Sequence, residues 1–175
     1  LLNGKPLIVY TIEQAITLTN ISNIFVSSND PKVEEICSDF DEVTFIQRPD
    51  EISTYTSKDI EYINHILETF SFDVFVKLNP TSPFREPSFI ERNLEVFLND
   101  GKYDSARAVQ LCKEHPGKMW TIDNNDTLKP LNLNLEFDYE MHEAQYQDLP
   151  EVYIQTSSLE IADVEKISKY GNRSG

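Results

Sequence analysis

Between residues 6 and 111 the apolar residues change period repeatedly, and this alternation limits the fold more than any other feature of the chain. Segments with apolar residues every three or four positions have the length of helices. The continuous apolar runs between them have the length of strands, and few residues join one segment to the next. Ile8, Ile12, Ala15 and Ile16 share one helical face, with Pro6 placed to open that helix. Ile24-Phe25-Val26 follows as a strand. Asp30-Pro31 reads as an N-cap and first helical residue, before Val33, Ile36, Cys37 and Phe40 at i, i+3, i+4 and i+7. A strand over 43–47 comes next, then a helix with inner face Ile60, Ile63, Leu67 and Phe70. A strand from Asp73 to Leu78 precedes a helix that carries Ile90, Leu94, Phe97 and Leu98 and stops at Asp100-Gly101. Asp104 to Leu111 is a further strand. Strands separated by such helices imply right-handed crossovers and a mostly parallel sheet covered on both faces. Ligands of such sheets bind outside the carboxyl ends of the strands. The chemistry is therefore expected after Ser27, Gln47 and Leu78, where all three segments are polar.

Beyond residue 112 the pattern changes. Lys118 to Ile122 reads as a strand, 123–126 as an exposed turn, and Val152 to Ile161 as a strand. Asp163 is placed to cap a last helix through Tyr170. The stretch 129–150 has little periodicity and is too long for a simple connection, so a lid or a subunit contact is expected there. At 175 residues the chain is expected to form one domain, 1–175.

Charge narrows the function. Thirty acidic residues against 15 basic give −15, which disfavours a nucleic-acid partner, because such binding draws its affinity from Lys and Arg at phosphates. An acidic protein can still use a nucleotide if its cleft is locally basic or holds Mg²⁺. No apolar run has the length of a membrane span and no leader pattern stands at the start, so no membrane partner is expected. Cys37 and Cys112 lack metal-ligand spacing and are read as reduced, packed thiols of a cytoplasmic protein.

The most specific segment is Asn79-Pro80-Thr81-Ser82-Pro83-Phe84-Arg85, directly after a buried strand. Two prolines stiffen the loop, three short polar side chains can face a cleft, and Arg85 adds a guanidinium near the next helix start. The same residues also suit a strand-to-helix turn with capping hydroxyls, and spacing alone does not separate the two readings. The segment resembles the Q-P-T-S-P-L-R signature of the acylneuraminate cytidylyltransferase family, the CMP-sialic acid synthetases. Further stretches are similar in the same order: Leu2-Asn3-Gly4-Lys5-Pro6-Leu7-Ile8 to L-x-G-K-P-L-I, Ser27-Ser28-Asn29-Asp30 to S-T-D-D, and Arg48-Pro49-Asp50-Glu51 to R-P-x-E-L. Residues 114–120 resemble E-x-H-P-x-K-M-W, and residues 147–153 resemble the end of R-Q-D-L-P-x-V-Y.

The resemblance implies a Rossmann-like three-layer α/β/α fold of the nucleotide-diphospho-sugar transferase kind, with residues 129–150 as a dimerisation excursion. It also implies transfer of CMP from CTP to the anomeric hydroxyl of a nine-carbon acidic sugar, with Mg²⁺ on the triphosphate and a homodimeric enzyme. On the matching positions, Arg48, Thr56, Ser57 and Asp59 fall on the nucleotide side. Asn79, Thr81, Ser82, Arg85, Gln147, Gln155 and Thr156 fall on the sugar side. Helix capping by Thr56, Ser57 and Asp59, and an ordinary polar strand face at 155–157, stand as alternatives. Gln145-Tyr146 replaces the family's Arg-Arg, which leaves the choice of acidic sugar open. The phosphate-cradling loop is expected before Leu1 and the metal-binding Asp pair beyond Gly175. No catalytic or metal-ligating residue is therefore assigned within 1–175. His115 reads as structural or substrate-orienting, and His65 and His142 as incidental. A non-catalytic binding or dimerisation module and another sugar-nucleotide transferase remain the alternatives. CTP binding would separate the first from the enzyme, and uridine or guanosine nucleotide preference the second.

Overall fold

The computed structural model describes residues 1–131 and 140–166. The chain divides into two compact units, Leu1–Ala108 with Ser157–Gly175, and Val109–Thr156. In chain order the elements are α1 (Leu7–Ile16), β1 (Ile24–Ser28), α2 (Pro31–Cys37), β2 (Val43–Gln47), α3 (Asp59–Leu67), β3 (Val74–Lys77) and α4 (Pro87–Asp100). They continue with β4 (Ser105–Leu111), β5 (Trp120–Ile122), β6 (Leu128–Pro130) and β7 (Tyr153–Asp163). Short 3-10 turns span Asp50–Ile52, Pro116–Lys118 and Tyr146–Asp148.

The first unit is a mixed α/β structure. β1 and β2 pair in parallel, with Ile24 opposite Val43 and Ser28 opposite Gln47. A second sheet has the order β3-β7-β4, and β7 runs antiparallel to β3, with Lys77 opposite Glu160. The mostly parallel sheet expected from the sequence is thus corrected to a mixed one. Apolar periodicity marks a strand without giving its direction. β7 enters after the second unit rather than through a helical crossover, and a crossover is what would have made it parallel. One face of this sheet holds the core. Ile90, Leu94 and Phe97 of α4 pack with Leu18, Leu159 and Ile161, flanked by Val74, Val76, Leu78, Ala106 and Ala108. Ile90 and Ile161 are essentially inaccessible to water.

Local signals explain most boundaries. The Asp30 carboxylate accepts the Lys32 N–H at 2.9 Å, and Pro31 occupies the first turn of α2. That helix ends at Cys37, so Phe40 lies beyond it. α4 ends on Gly101, whose φ of 63° favours a residue without a Cβ. Leu98, expected on the inner face, is instead 53% exposed. It lies about 80° round the helix from Ile90 at 100° per residue, at the rim of the apolar stripe. Asp163 accepts the Lys166 N–H at 2.9 Å, as an N-cap does. The rest of the helix expected through Tyr170 lies outside the described residues, as does 132–139 within the expected excursion.

The second unit is tied by polar contacts. The buried His115 accepts the Gly117 N–H through Nδ1 at 2.9 Å, so its Nε2 carries the proton and donates to Pro150 O at 3.0 Å. A Cβ on Gly117 would meet His115 Nδ1 and Met141 Cβ at 2.9 Å, which accounts for glycine there. Lys118 Nζ donates to His142 O at 2.9 Å and to Ala144 O. His142, read as incidental, instead stands edge-on to Trp120 with centroids 5.3 Å apart, and its Nε2 lies 3.4 Å from Glu140 Oε2.

β5 and β6 form a hairpin closed by Asp123. Its carboxylate pairs with Lys129 at 2.8 Å and accepts the N–H groups of Asn125 and Thr127. Lys129 first, and then those N–H groups, hold this carboxyl below the usual carboxylate range. Because the folded value lies below the unfolded one, the contribution is fully present above the ordinary Asp value and disappears as pH falls through the lowered one. An NMR titration should give an Asp123 midpoint below that of an unstructured Asp, with the β5–β6 amides shifting in step. A midpoint at or above that reference would show that the turn does not favour the charged form.

Candidate functional site

The polar segments after β1, β2 and β3 all belong to the first unit. The end of β2 is joined to the end of β1 by Arg48. Its Nε donates to Ser27 Oγ at 3.1 Å, its Nη2 donates to Ser27 O, and its guanidinium lies 4.7 Å from the Tyr62 ring. Asn29 donates to Asp50 Oδ1 at 3.1 Å. Between this end and α3, Thr54, Thr56 and Ser57 bond to one another, with Thr54 N–H on Ser57 Oγ at 2.9 Å and the Thr54 and Thr56 hydroxyls 3.1 Å apart. Neither Thr56 nor Ser57 caps α3. The Lys58 N–H is instead accepted by the Glu61 carboxylate at 2.8 Å.

The loop after β3 forms one wall of an open cleft of about 610 Å³. Thr81, Ser82, Pro83, Phe84 and Arg85 line it together with Ser158 of β7, Leu2, Leu7 and Phe89. Thr81 and Ser82 do not cap α4, whose N-cap is Glu86, so the alternative of capping hydroxyls does not hold for them. Asn79 turns the chain, its carbonyl accepting Ser82 N–H at 3.2 Å. Arg85 does not project a free guanidinium into the cleft. Its Nε donates to Ser158 O at 2.7 Å, Nη1 to Gln14 Oε1 at 3.1 Å, and Nη2 to Asn79 O. Burial lowers its pKa from the ordinary value, and bonds to three oxygens offset that desolvation.

The site residues expected from the sequence fall on several elements. Thr81, Ser82 and Arg85 share the cleft with Ser158, which the sequence reading did not single out. Arg48, Thr56 and Ser57 lie on the β2–α3 connection and Asp59 opens α3, and none of the four lines the cleft. Gln147 is exposed on the turn Tyr146–Asp148 of the second unit, and Gln155 and Thr156 lie on the part of β7 that belongs to that unit. Among the described residues no group of three or more His, Cys, Asp or Glu side chains is placed to hold a metal ion. Asp30 caps α2 and Asp50 accepts Asn29, so among the described residues these two carboxylates do not form a site for Mg²⁺.

A cytidylyltransferase family model matches residues 1–148. The chain belongs to the cytidylyltransferase family. Among its relatives, the N-acylneuraminate cytidylyltransferase of Escherichia coli O18:K1:H7 is 27% identical over 135 residues, covering 77% of this chain and 32% of the relative. The CMP-N,N'-diacetyllegionaminic acid synthase of Legionella pneumophila is 30% identical over 133 residues, covering 73% and 56%. The chain thus spans about a third to a little over half of the length of these relatives. A solved structure of CMP:2-keto-3-deoxy-manno-octonic acid synthetase complexed with CTP superposes with a TM-score of 0.64 at 14% identity, covering 96% of this chain and 67% of that one. At that identity the likeness is one of fold.

A charged cluster in this cytidylyltransferase chain escaped the sequence reading. Lys77 of β3 pairs with Asp59 at the start of α3 and lies 3.8 Å from Glu160 of β7. The Lys77 and Glu160 side chains are 16% and 6% exposed. The signal was present: a lysine closing the apolar strand Val74–Lys77, and a glutamate between Leu159 and Ile161-Ala162. Asp59 is thereby fixed to the sheet rather than left to cap α3. Replacing Lys77 by Ala removes the ammonium between two carboxylates and should cost roughly 3 kcal/mol in urea denaturation, with Lys77→Arg recovering most of it. A loss below about 0.5 kcal/mol would mean that the cluster carries no weight.

Proposed function

We propose that the protein transfers CMP from CTP, taken up as its Mg²⁺ complex, to the anomeric hydroxyl of a nine-carbon acidic sugar of the sialic-acid kind. The anomeric oxygen attacks the α-phosphorus of CTP, the bond to the β-phosphate breaks, and pyrophosphate leaves. The hydroxyl proton goes to solvent. No covalent enzyme intermediate is needed, so positioning supplies much of the rate. The observation that carries the reading is the proline-stiffened loop 79–85, which brings Thr81 and Ser82 into one cleft with Ser158 at the carboxyl end of β3. Hydroxyls of this kind suit a polyhydroxylated sugar. The names of the two relatives, an N-acylneuraminate cytidylyltransferase and a diacetyllegionaminic acid synthase, support the same substrate class.

The finer architecture belongs to this proposal as well. A three-layer arrangement is supported by α4 on one face of the β3-β7-β4 sheet and by the Asp59–Lys77 pair, which joins α3 to β3. No helix among the described residues is long and apolar enough to cross a membrane, and the free thiols of Cys37 and Cys112 suit the reducing cytoplasm. For the second unit we infer a homodimer contact. Val109, Leu111, Trp120, Ile122, Leu128 and Ile154 are all about half exposed or more, an apolar surface that a two-fold contact with a second copy would cover.

Two measurements test the proposal. The full-length protein, given CTP, Mg²⁺ and separate nonulosonic acids, should release pyrophosphate with one acidic sugar and not with neutral hexoses. Absence of release across the panel together with absence of CTP binding would favour a non-catalytic module. Light scattering should give twice the protomer mass, and the double variant I122D/L128D should give a monomer. A monomeric wild-type protein would remove the dimer.

A further inference from the structure

We infer that Gln14 is a positioning residue for the loop 79–85, acting through hydrogen bonds and not by touching a ligand. The inference rests on the reading of that loop as the sugar-side wall. Gln14 lies on α1 and is not among the residues lining the cleft. Its Nε2 donates to Pro83 O at 2.6 Å and to Arg85 O at 3.0 Å, while its Oε1 accepts Arg85 Nη1 at 3.1 Å. The orientation of the amide follows from the partners. The guanidinium can only donate, so oxygen faces it, and the two carbonyls can only accept, so nitrogen faces them. Of the common side chains of this size, only a carboxamide donates twice and accepts once in that geometry.

The loop needs such support. Pro80, Pro83 and Pro87 lack N–H groups, so a segment of eight residues has few donors of its own for its carbonyls. Its apolar anchorage is thin, since Phe84 is 80% exposed. Its conformation is therefore set by polar bonds, the stronger of them where the guanidinium takes part. β7 has adapted to the same brace. Ser157 has a φ of 55°, unusual for a residue with a side chain, and the next carbonyl, that of Ser158, accepts Arg85 Nε. Gln14 and Arg85 thus clamp both ends of the cleft wall from behind, to α1 on one side and β7 on the other.

The test uses Gln14→Glu and Gln14→Ala in the full-length protein. Glutamate keeps the shape and keeps a partner for Arg85, but it presents an anion to Pro83 O and Arg85 O. Hydrogen exchange of Thr81, Ser82, Phe84, Arg85 and Glu86 should quicken at least tenfold in both variants, while exchange in α4 stays unchanged. In turnover the KM for the acidic sugar should rise roughly tenfold or more, with the KM for CTP within about twofold of wild type. Unchanged loop exchange in both variants would overturn the inference, whatever the activity. An equal fall in every kinetic parameter, with faster exchange throughout the first unit, would overturn it too, since that describes a general structural role. Because exchange is read without turnover, a wild-type protein that consumes no CTP would count against the proposed reaction and leave this test intact.

Discussion

The Arg85 guanidinium joins three segments that are remote in sequence: α1 through Gln14, the strand-end loop through Asn79, and β7 through Ser158. The cleft exists in its present shape because of this junction. A proline-rich loop at the end of β3 has no ladder of its own, and an exposed Phe84 gives it little apolar grip. A half-buried cation with three oxygen partners substitutes for both. An arginine in a substrate loop invites the reading of an anion binder. Here the bonds go inward, and the cleft that Arg85 helps to line brings Thr81, Ser82 and Ser158 together with apolar neighbours.

The two faces of the β3-β7-β4 sheet use different physics. One face is closed by α4 through Ile90, Leu94 and Phe97, an ordinary apolar contact. Lys77 and Glu160 are in register on neighbouring strands, and Asp59 reaches Lys77 from α3. A buried ion pair is weak evidence for stability, because apolar residues of similar volume often serve as well. Its use here is geometric: it fixes the first turn of α3, and with it the end of the hydroxyl-rich turn 54–57 that follows Arg48.

The alternation of periods made most of the first unit legible. β2 falls on the residues read as a strand, and α2 begins where Asp30-Pro31 said that it would, because caps and prolines act locally. Strand direction was not legible for β7. It depends on the path of the chain between 109 and 156, which no local pattern encodes. The candidate site was legible as motifs but not as contacts. The segments at 114–120 and 147–153 resembled two separate family signatures, and the structure joins them through His115 Nε2 on Pro150 O. Gln14 was invisible for the opposite reason. A single glutamine on a helix is unremarkable until its partners, 69 and 71 residues away, are known. Arg85 was noticed for its charge, yet the direction in which its donors point is a property of the folded loop.

The central claim is that the 79–85 loop and Ser158 form the sugar-binding wall of a CMP-transferring enzyme. The most direct measurement is a crystal structure of the full-length protein with a CTP analogue that cannot transfer its CMP and with the acidic sugar that supports turnover. The account predicts sugar oxygens about 3 Å from the Thr81 and Ser82 hydroxyls, with the Arg85 and Gln14 bonds intact behind them. A sugar bound with no contact to this loop or to Ser158 would contradict it.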